Sequence, residues 1–298
     1  MIGLRKVSES PRDLLPEAVV PLLLGQIDSA CPWMAGLPYR YLDRCGSTNA
    51  VLKKDVASSP TGMLVITDEQ TEGRGRLGRT WSSEAGKDLV FSVLLRPAMP
   101  PEHVPLLSLA AGVAAAEALD RLPGLAGRVR VKWPNDVLLG DKKVCGILLE
   151  SHVKGGRLDW VVAGIGLNVN SDPTTMLRHL TSAQKEEWQG KPQPTSLAAE
   201  LGGEVQRGTL LADLLVRLTR RWMRPDPPRL LEGIRRFDAL LGHQVEVFAG
   251  PPTDLLVAAG EAVGIGPAGE LLVRDLDGET VRVVAGEVTV RSDEQPRE

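Results

Sequence analysis

Apolar positions in this chain fall into two patterns. Short unbroken runs such as Met63-Leu64-Val65-Ile66 predict buried strands at 62–68, 89–96, 129–133, 144–152 and 158–168. Lys154-Gly155-Gly156, between the last two, is a hairpin signal. Longer stretches predict helices over 49–58, 105–122, 195–201, 210–223 and 230–240. Ser47 or Thr48 is placed to cap the first, and Pro123-Gly124 ends the second. One more helix is predicted over 12–29, inside an otherwise irregular extension, 1–38. Residues 171–193 are polar, rich in Pro, Thr, Gln and Lys, and read as a loop excursion. Strands adjacent in sequence favour an α+β fold with antiparallel pairs over a doubly wound parallel sheet.

After Gly242 the pattern changes to short strands at 243–248, 255–265, 271–275, 280–284 and 288–291, separated by Gly- and Pro-rich turns. Five short strands at this spacing predict a small β-barrel. The expected organisation is therefore a main domain over 39–240 and a barrel over 241–298.

Composition narrows the class. The chain has 298 residues, 43% hydrophobic and 24% charged, which excludes a collagen-like, wholly disordered or disulfide-stapled protein. Basic residues number 35 and acidic residues 38, so the net charge of −3 provides no global attraction to nucleic acid. Cys31, Cys45 and Cys145 are widely spaced without a CxxC, and read as reduced thiols of a cytoplasmic protein with no zinc site. The longest weakly polar stretch, 105–119, is broken by Ser108 and Glu117 and falls short of the ~20 apolar residues of a membrane span. Residues 14–25 contain Glu17 and Pro21 and follow no compact basic region, so they do not read as a secretion signal.

Four segments carry candidate chemistry. Gly73-Arg74-Gly75-Arg76-Leu77-Gly78-Arg79 combines glycines, which allow positive φ and close approach, with three guanidinium groups. It suits a polyphosphate; a solvated basic turn or an RNA-binding segment is the alternative. Its GxGxxG spacing leads to a strand rather than a helix, which argues against a dinucleotide fold. Lys132-Trp133-Pro134-Asn135-Asp136 ends a strand in a turn, and Lys143 starts the next, so a hairpin would bring Asp136 and Lys143 together. An ordinary charged surface hairpin is the alternative. Gly164-Ile165-Gly166-Leu167-Asn168 puts two glycines in a strand, which suits a ligand packed closely on it or a bulge. Ser47-Thr48-Asn49 opens a helix, where capping and ligand contact are both open. His103, His152, His179 and His243 form no recognisable triad motif.

In order and at these separations, the four segments resemble the biotin–protein ligase family, over roughly residue 39 to the C-terminus. The resemblance implies a mixed-sheet catalytic domain like that of class II tRNA synthetases, followed by an SH3-like barrel. It implies activation of biotin by ATP to biotinyl-5′-AMP and pyrophosphate. The biotinyl group then passes to a lysine of a biotin carboxyl carrier protein, a subunit of acetyl-CoA carboxylase. It assigns Lys143, Arg74 and Asp136 to catalysis, with Asp136 also at a Mg²⁺. It assigns biotin to Ser47, Thr48, Asn49, Gln70, Gly73, Arg74, Gly75, Arg76, Lys143, Gly146 and Gly166. It assigns ATP and the adenylate to Arg74, Arg76, Arg79, Trp81, Lys132, Asn135, Asp136, Asn168 and Arg291. The stretch 72–86 would order over the adenylate and protect it from water, with Trp81 closing over it.

Some family members carry an N-terminal winged helix-turn-helix and repress transcription. The ~45 residues before Ser47 lack its signature, so no operator binding is expected. A homodimer is compatible with the family. The rivals are a lipoate–protein ligase, a nucleic-acid binder using the Arg–Gly loop and barrel, and a non-catalytic biotin sensor. The low net charge and 4% aromatic content argue against the second; Lys143, Arg74 and Arg76 argue against the third.

Overall fold

The computed structural model describes residues 38–178, 191–223, 227–250 and 255–290. The expected helix at 12–29 lies outside them, as do Cys31 and Arg291. Seven strands form one mixed sheet: β1 (Tyr39–Cys45), β2 (Leu64–Gln70), β3 (Leu89–Leu95), β4 (Val129–Lys132), β5 (Asp136–Leu139), β6 (Lys142–Lys154) and β7 (Arg157–Leu167). Their order is β1-β2-β3-β7-β6-β5-β4. β1 runs parallel to β2, and all other neighbours are antiparallel. The expected α+β architecture with antiparallel pairs is therefore present.

Burial explains which strands the apolar pattern reveals. All seven residues of β3 are buried, as its continuous apolar run requires. β1 is a largely exposed edge strand, Tyr-Arg-Tyr-Leu-Asp-Arg-Cys, and carries no apolar run to predict it. The β6–β7 turn holds Gly155 at φ 57 and Gly156 at φ 74, the pair of positive values that a tight two-residue hairpin needs.

Helix α1 (Thr48–Lys54) crosses beside β2, β3 and β7. Helix α2 (Val104–Asp120) is apolar nearly all round. It lies against β4–β6 on one side and against α5 (Arg207–Met223) and α6 (Pro227–Phe237) on the other. Gly112 makes the first approach possible: a Cβ there would sit 3.1 Å from Val131 Cγ1. Between α2 and α5, the residues 171–193 are not wholly a loop. Pro173–Arg178 form helix α3, 179–190 lie outside the described residues, and 191–194 run beside β6. A short helix α4 (Leu197–Leu201) follows, capped by the Ser196 hydroxyl, which accepts from Ala199 N.

Strands β8 (Gln244–Phe248), β9 (Leu256–Ile265), β10 (Leu271–Arg274), β11 (Thr280–Val283) and β12 (Glu287–Val290) form a second, antiparallel sheet in the order β11-β10-β9-β8-β12. Trp133 joins the two sheets. Its ring is buried, and Nε1 donates to Gly269 O at 2.9 Å. No helix among the described residues is long and apolar enough to cross a membrane.

Candidate active site

The four chemical segments converge on one cavity of about 310 Å³, on the face of the sheet where β2, β3, β6 and β7 meet the loop after β2. Its inner end is neutral and polar. Ser47 stands at the N-cap of α1 in extended conformation (φ −154, ψ 134), yet its side chain makes no capping bond. The expected capping role is not used. Thr48 and Asn49 are buried, and Gln70 Oε1 accepts from Thr48 N at 2.8 Å. Gly164 is bare for a reason other than a ligand: a Cβ there would lie 2.3 Å from Asn49 Oδ1.

The Gly–Arg loop is more ordered than its composition predicts. Arg74 and Thr80 form a bridge, Gly75 N donates to Arg79 O at 2.7 Å, and Trp81 N donates to Gly73 O at 2.9 Å. The result is a pinched antiparallel loop with a tight turn, Arg76–Gly78, at its tip, where Leu77 takes left-handed angles (φ 56, ψ 34). Gly78 has φ 77, but Gly73 is glycine because its own loop crosses it. A Cβ at Gly73 would lie 2.3 Å from Trp81 O. At the loop's end the Trp81 indole lies flat on β6 and β7. A Cβ at Gly166 would be 2.3 Å from Trp81 Cε2, and one at Gly146 would be 2.8 Å from Cζ3. Trp81 Nε1 is buried and has no hydrogen-bond partner among the described residues.

The outer end is cationic. Arg74, Arg76, Arg79, Lys132, Lys143 and Lys191 line the cavity against the acids Asp136 and Glu287. Asp136 opens β5 and Lys143 lies near the start of β6, so the hairpin sets their charges 2.7 Å apart as expected. Lys143 Nζ also lies 5.7 Å from the Trp81 ring centroid. Burial pulls the Lys132 ammonium down from its ordinary range; Asp136 opposes this and Lys143 reinforces it. Burial likewise lowers Arg76, against the pull of Asp136 and Glu287. Arg76 Nη1 donates to Asn135 Oδ1 at 3.3 Å, and Asn135 Nδ2 donates to Ile147 O at 2.9 Å. The Asn135 amide therefore braces Arg76 against β6. Asn168 closes β7, with Nδ2 held by Thr195 O at 2.9 Å and Oδ1 buried without a partner among the described residues. The turn before Asn135 contains a cis Trp133–Pro134 bond.

Three contributors carried no sequence signal. Glu287 of β12 pairs with Arg79 and lies 3.7 Å from Lys191, so the second sheet forms part of the wall. Lys191 comes from the segment read as an excursion. Ser92, on the apolar β3, is wholly buried behind Thr48 and Asn49. Each is an ordinary polar residue in a strand or loop, and only long-range packing gives it a place.

Comparison with known proteins agrees with this arrangement. The Biotin/lipoate A/B protein ligase family matches residues 41–168. The biotin--[acetyl-CoA-carboxylase] ligase of Mycobacterium tuberculosis is 34% identical over 85% of this chain and 90% of its own length. The chain belongs to the biotin protein ligase family. The structure of the biotin protein ligase from Aquifex aeolicus in complex with biotin and ATP superposes with a TM-score of 0.64 at 27% identity. That match covers 85% of this chain and 98% of the other. The bifunctional ligase/repressor BirA of Bacillus subtilis is 34% identical over 55% of this chain, which spans 47% of the length of that relative.

Proposed function

We propose that this protein condenses biotin with Mg·ATP and then biotinylates a carrier lysine on acetyl-CoA carboxylase, in the cytoplasm. One observation carries the reading: a single cavity joins a neutral hydrogen-bonding end to a cationic end. That polarity suits a molecule with an uncharged ureido ring at one end and a carboxylate at the other, presented to a triphosphate. In this reading residues 39–240 form the catalytic domain and 241–298 an SH3-like barrel that completes the nucleotide wall.

The charges account for the first step. A carboxylate approaching the α-phosphate meets strong repulsion, which Lys143, Lys132, Arg74 and Arg76 offset where they line the cavity. A carboxylate oxygen bonds to the α-phosphorus and pyrophosphate leaves. The carrier lysine amine then attacks the acyl carbon, releasing AMP and a proton. Lys143 is the group we assign to the biotin carboxylate and α-phosphate, with Asp136 orienting it before substrate arrives. Among the described residues no cluster of three or more His, Cys, Asp or Glu stands ready for a metal. A lone carboxylate such as Asp136 fits a Mg²⁺ that arrives on the nucleotide with most of its ligands supplied by phosphate and water. Such an ion would neutralise phosphate charge. Trp81 would move off Gly146 and Gly166 to admit biotin and then close over the adenylate.

The test is pyrophosphate release from Mg·ATP with biotin and with lipoate separately, followed by the mass of a carrier domain. We expect release with biotin and a gain of one biotinyl group. Lys143→Ala should slow release by about a hundredfold or more while the thermal transition stays in place. Release with lipoate alone would assign the pocket to lipoate.

A further inference from the structure

The second sheet meets the cavity wall on two sides. One is Glu287 of β12. The other is the turn between β4 and β5, which is gripped from behind. Where the chain enters the second sheet it runs beside β4, and Ala239 N donates to Val131 O at 3.0 Å. Two residues further along, the buried Trp133 indole donates from Nε1 to Gly269 O at 2.9 Å. Gly269 is itself buried, at φ 88, and a Cβ on it would lie 3.0 Å from Leu106 N in α2. Its carbonyl is therefore a fixed acceptor, and the indole N–H has no water to turn to instead. From α2, Ser108 Oγ donates to Pro134 O at 3.0 Å.

Asn135 and Asp136 follow this grip directly. Ile147 N donates to Asn135 O at 3.0 Å, and Asn135 Nδ2 donates to Ile147 O at 2.9 Å. That leaves Asn135 Oδ1 as the acceptor for Arg76, which only donates, at 3.3 Å. Arg76 also reaches Gly286 O at 3.5 Å, so the two grips of the second sheet meet on one guanidinium. Asp136 sets Lys143 at 2.7 Å. We infer that Trp133 is a positioning residue for adenylate formation. Its indole N–H fixes the turn on the second sheet, and through Asn135 and Asp136 it sets where Arg76 and Lys143 stand. The neutral end of the cavity, Ser47 and Thr48 at the start of α1 and Gln70 at the end of β2, has no part in this grip.

The inference rests on the proposed biotin and ATP reading, and Trp133→Phe tests it by removing the N–H. We would measure pyrophosphate release against ATP concentration, and biotin binding by calorimetry. The kcat/KM for ATP should fall by about tenfold or more, since small misplacements of charged groups are costly to a reaction. Biotin affinity should stay within about twofold, whereas a general loosening of the fold would weaken both ligands. In an Asn135→Ala background, Trp133→Phe should cost much less than it does alone, because residues that act through one another are not additive. Should Trp133→Phe fail to fold, Trp133→3-benzothienylalanine keeps the fused-ring shape without the N–H and decides in its place. Wild-type kcat/KM for ATP in the folded variant would overturn the positioning role. So would an equal loss of biotin affinity, or a full further loss in the Asn135→Ala background. No pyrophosphate release by the wild type with biotin would overturn the functional reading and this inference together.

Discussion

The Asp88 carboxylate accepts N–H groups from Val169 at 2.8 Å and Glu84 at 3.1 Å, so one side chain ties the end of the Gly–Arg loop to the strand that carries Asn168. Burial pushes its pKa up to about 6, outweighing the hydrogen bonds from Ser171, Val169 and Glu84 that favour the charged form. Because the folded-state value lies above the unfolded one, the stability Asp88 contributes is fully present below about 4 and is lost as pH rises through about 6. Carboxyl NMR should find this titration near 6, and Asp88→Asn should flatten the stability slope between about pH 4 and 6. An unchanged slope would mean that Asp88 ionises normally. Nothing in the sequence around Asp88 announces this, since Gly-Lys-Asp reads as a plain turn. By contrast Lys143 and Asp136 were legible, because a hairpin between two local strands suffices to pair them.

At the scale of elements, the pinched loop is the clearest case of local sequence acting through geometry. Gly73→Ala would drive a methyl group into the Trp81 carbonyl, whose backbone cannot yield as a side-chain tip could. We expect the pinch to open, proteolysis at Arg74–Arg79 to rise several-fold, and biotinyl-AMP to leak, with little change in the thermal transition of the sheet. Unaltered cleavage would show that the loop tolerates the methyl. The pair Gly164 and Gly166 was legible as a place of close approach, but the approaching groups are Asn49 and Trp81 of the chain itself. The strands predicted from apolar runs are present because their apolar side chains are buried, including those of β4 at the far edge of the sheet, where Val129 and Val131 are covered. The edge strand β1 and the short β5 escaped, since exposure removes the apolar run from one and shortness from the other.

Over the whole molecule, the second sheet and the loop hold each other. Arg79 pairs with Glu287, Arg76 reaches Gly286 O at 3.5 Å, and a Cβ on Gly250 would touch Leu77 Cδ1 at 2.8 Å. Under the proposed reading Glu287→Gln should therefore leave both sheets folded yet speed adenylate release, and the increase should persist at high salt, because a pair set into the cavity wall is screened much less than one on the open surface. Equal release rates for variant and wild type would separate the second sheet from the loop. The buried pair of Arg207 and Asp68, 3.0 Å apart and almost without exposure, ties α5 to the central strand β2. Such a pair is costly to break from one side, which keeps the helix layer in register with the sheet that carries the site.

What the sequence determined by itself was a set of local decisions (buried strands from apolar runs, hairpins from paired glycines, a cationic loop) together with the order of four segments specific enough to indicate the family. The local decisions follow from interactions within about a dozen residues, where the chain's own geometry leaves few alternatives. Tertiary structure alone decided that Trp81 rests on Gly146 and Gly166, that Glu287 closes the wall, and that Ser92 stands behind Thr48. Those contacts join residues tens to hundreds of positions apart. Their donors and acceptors acquire a direction only once burial removes water as the competing partner.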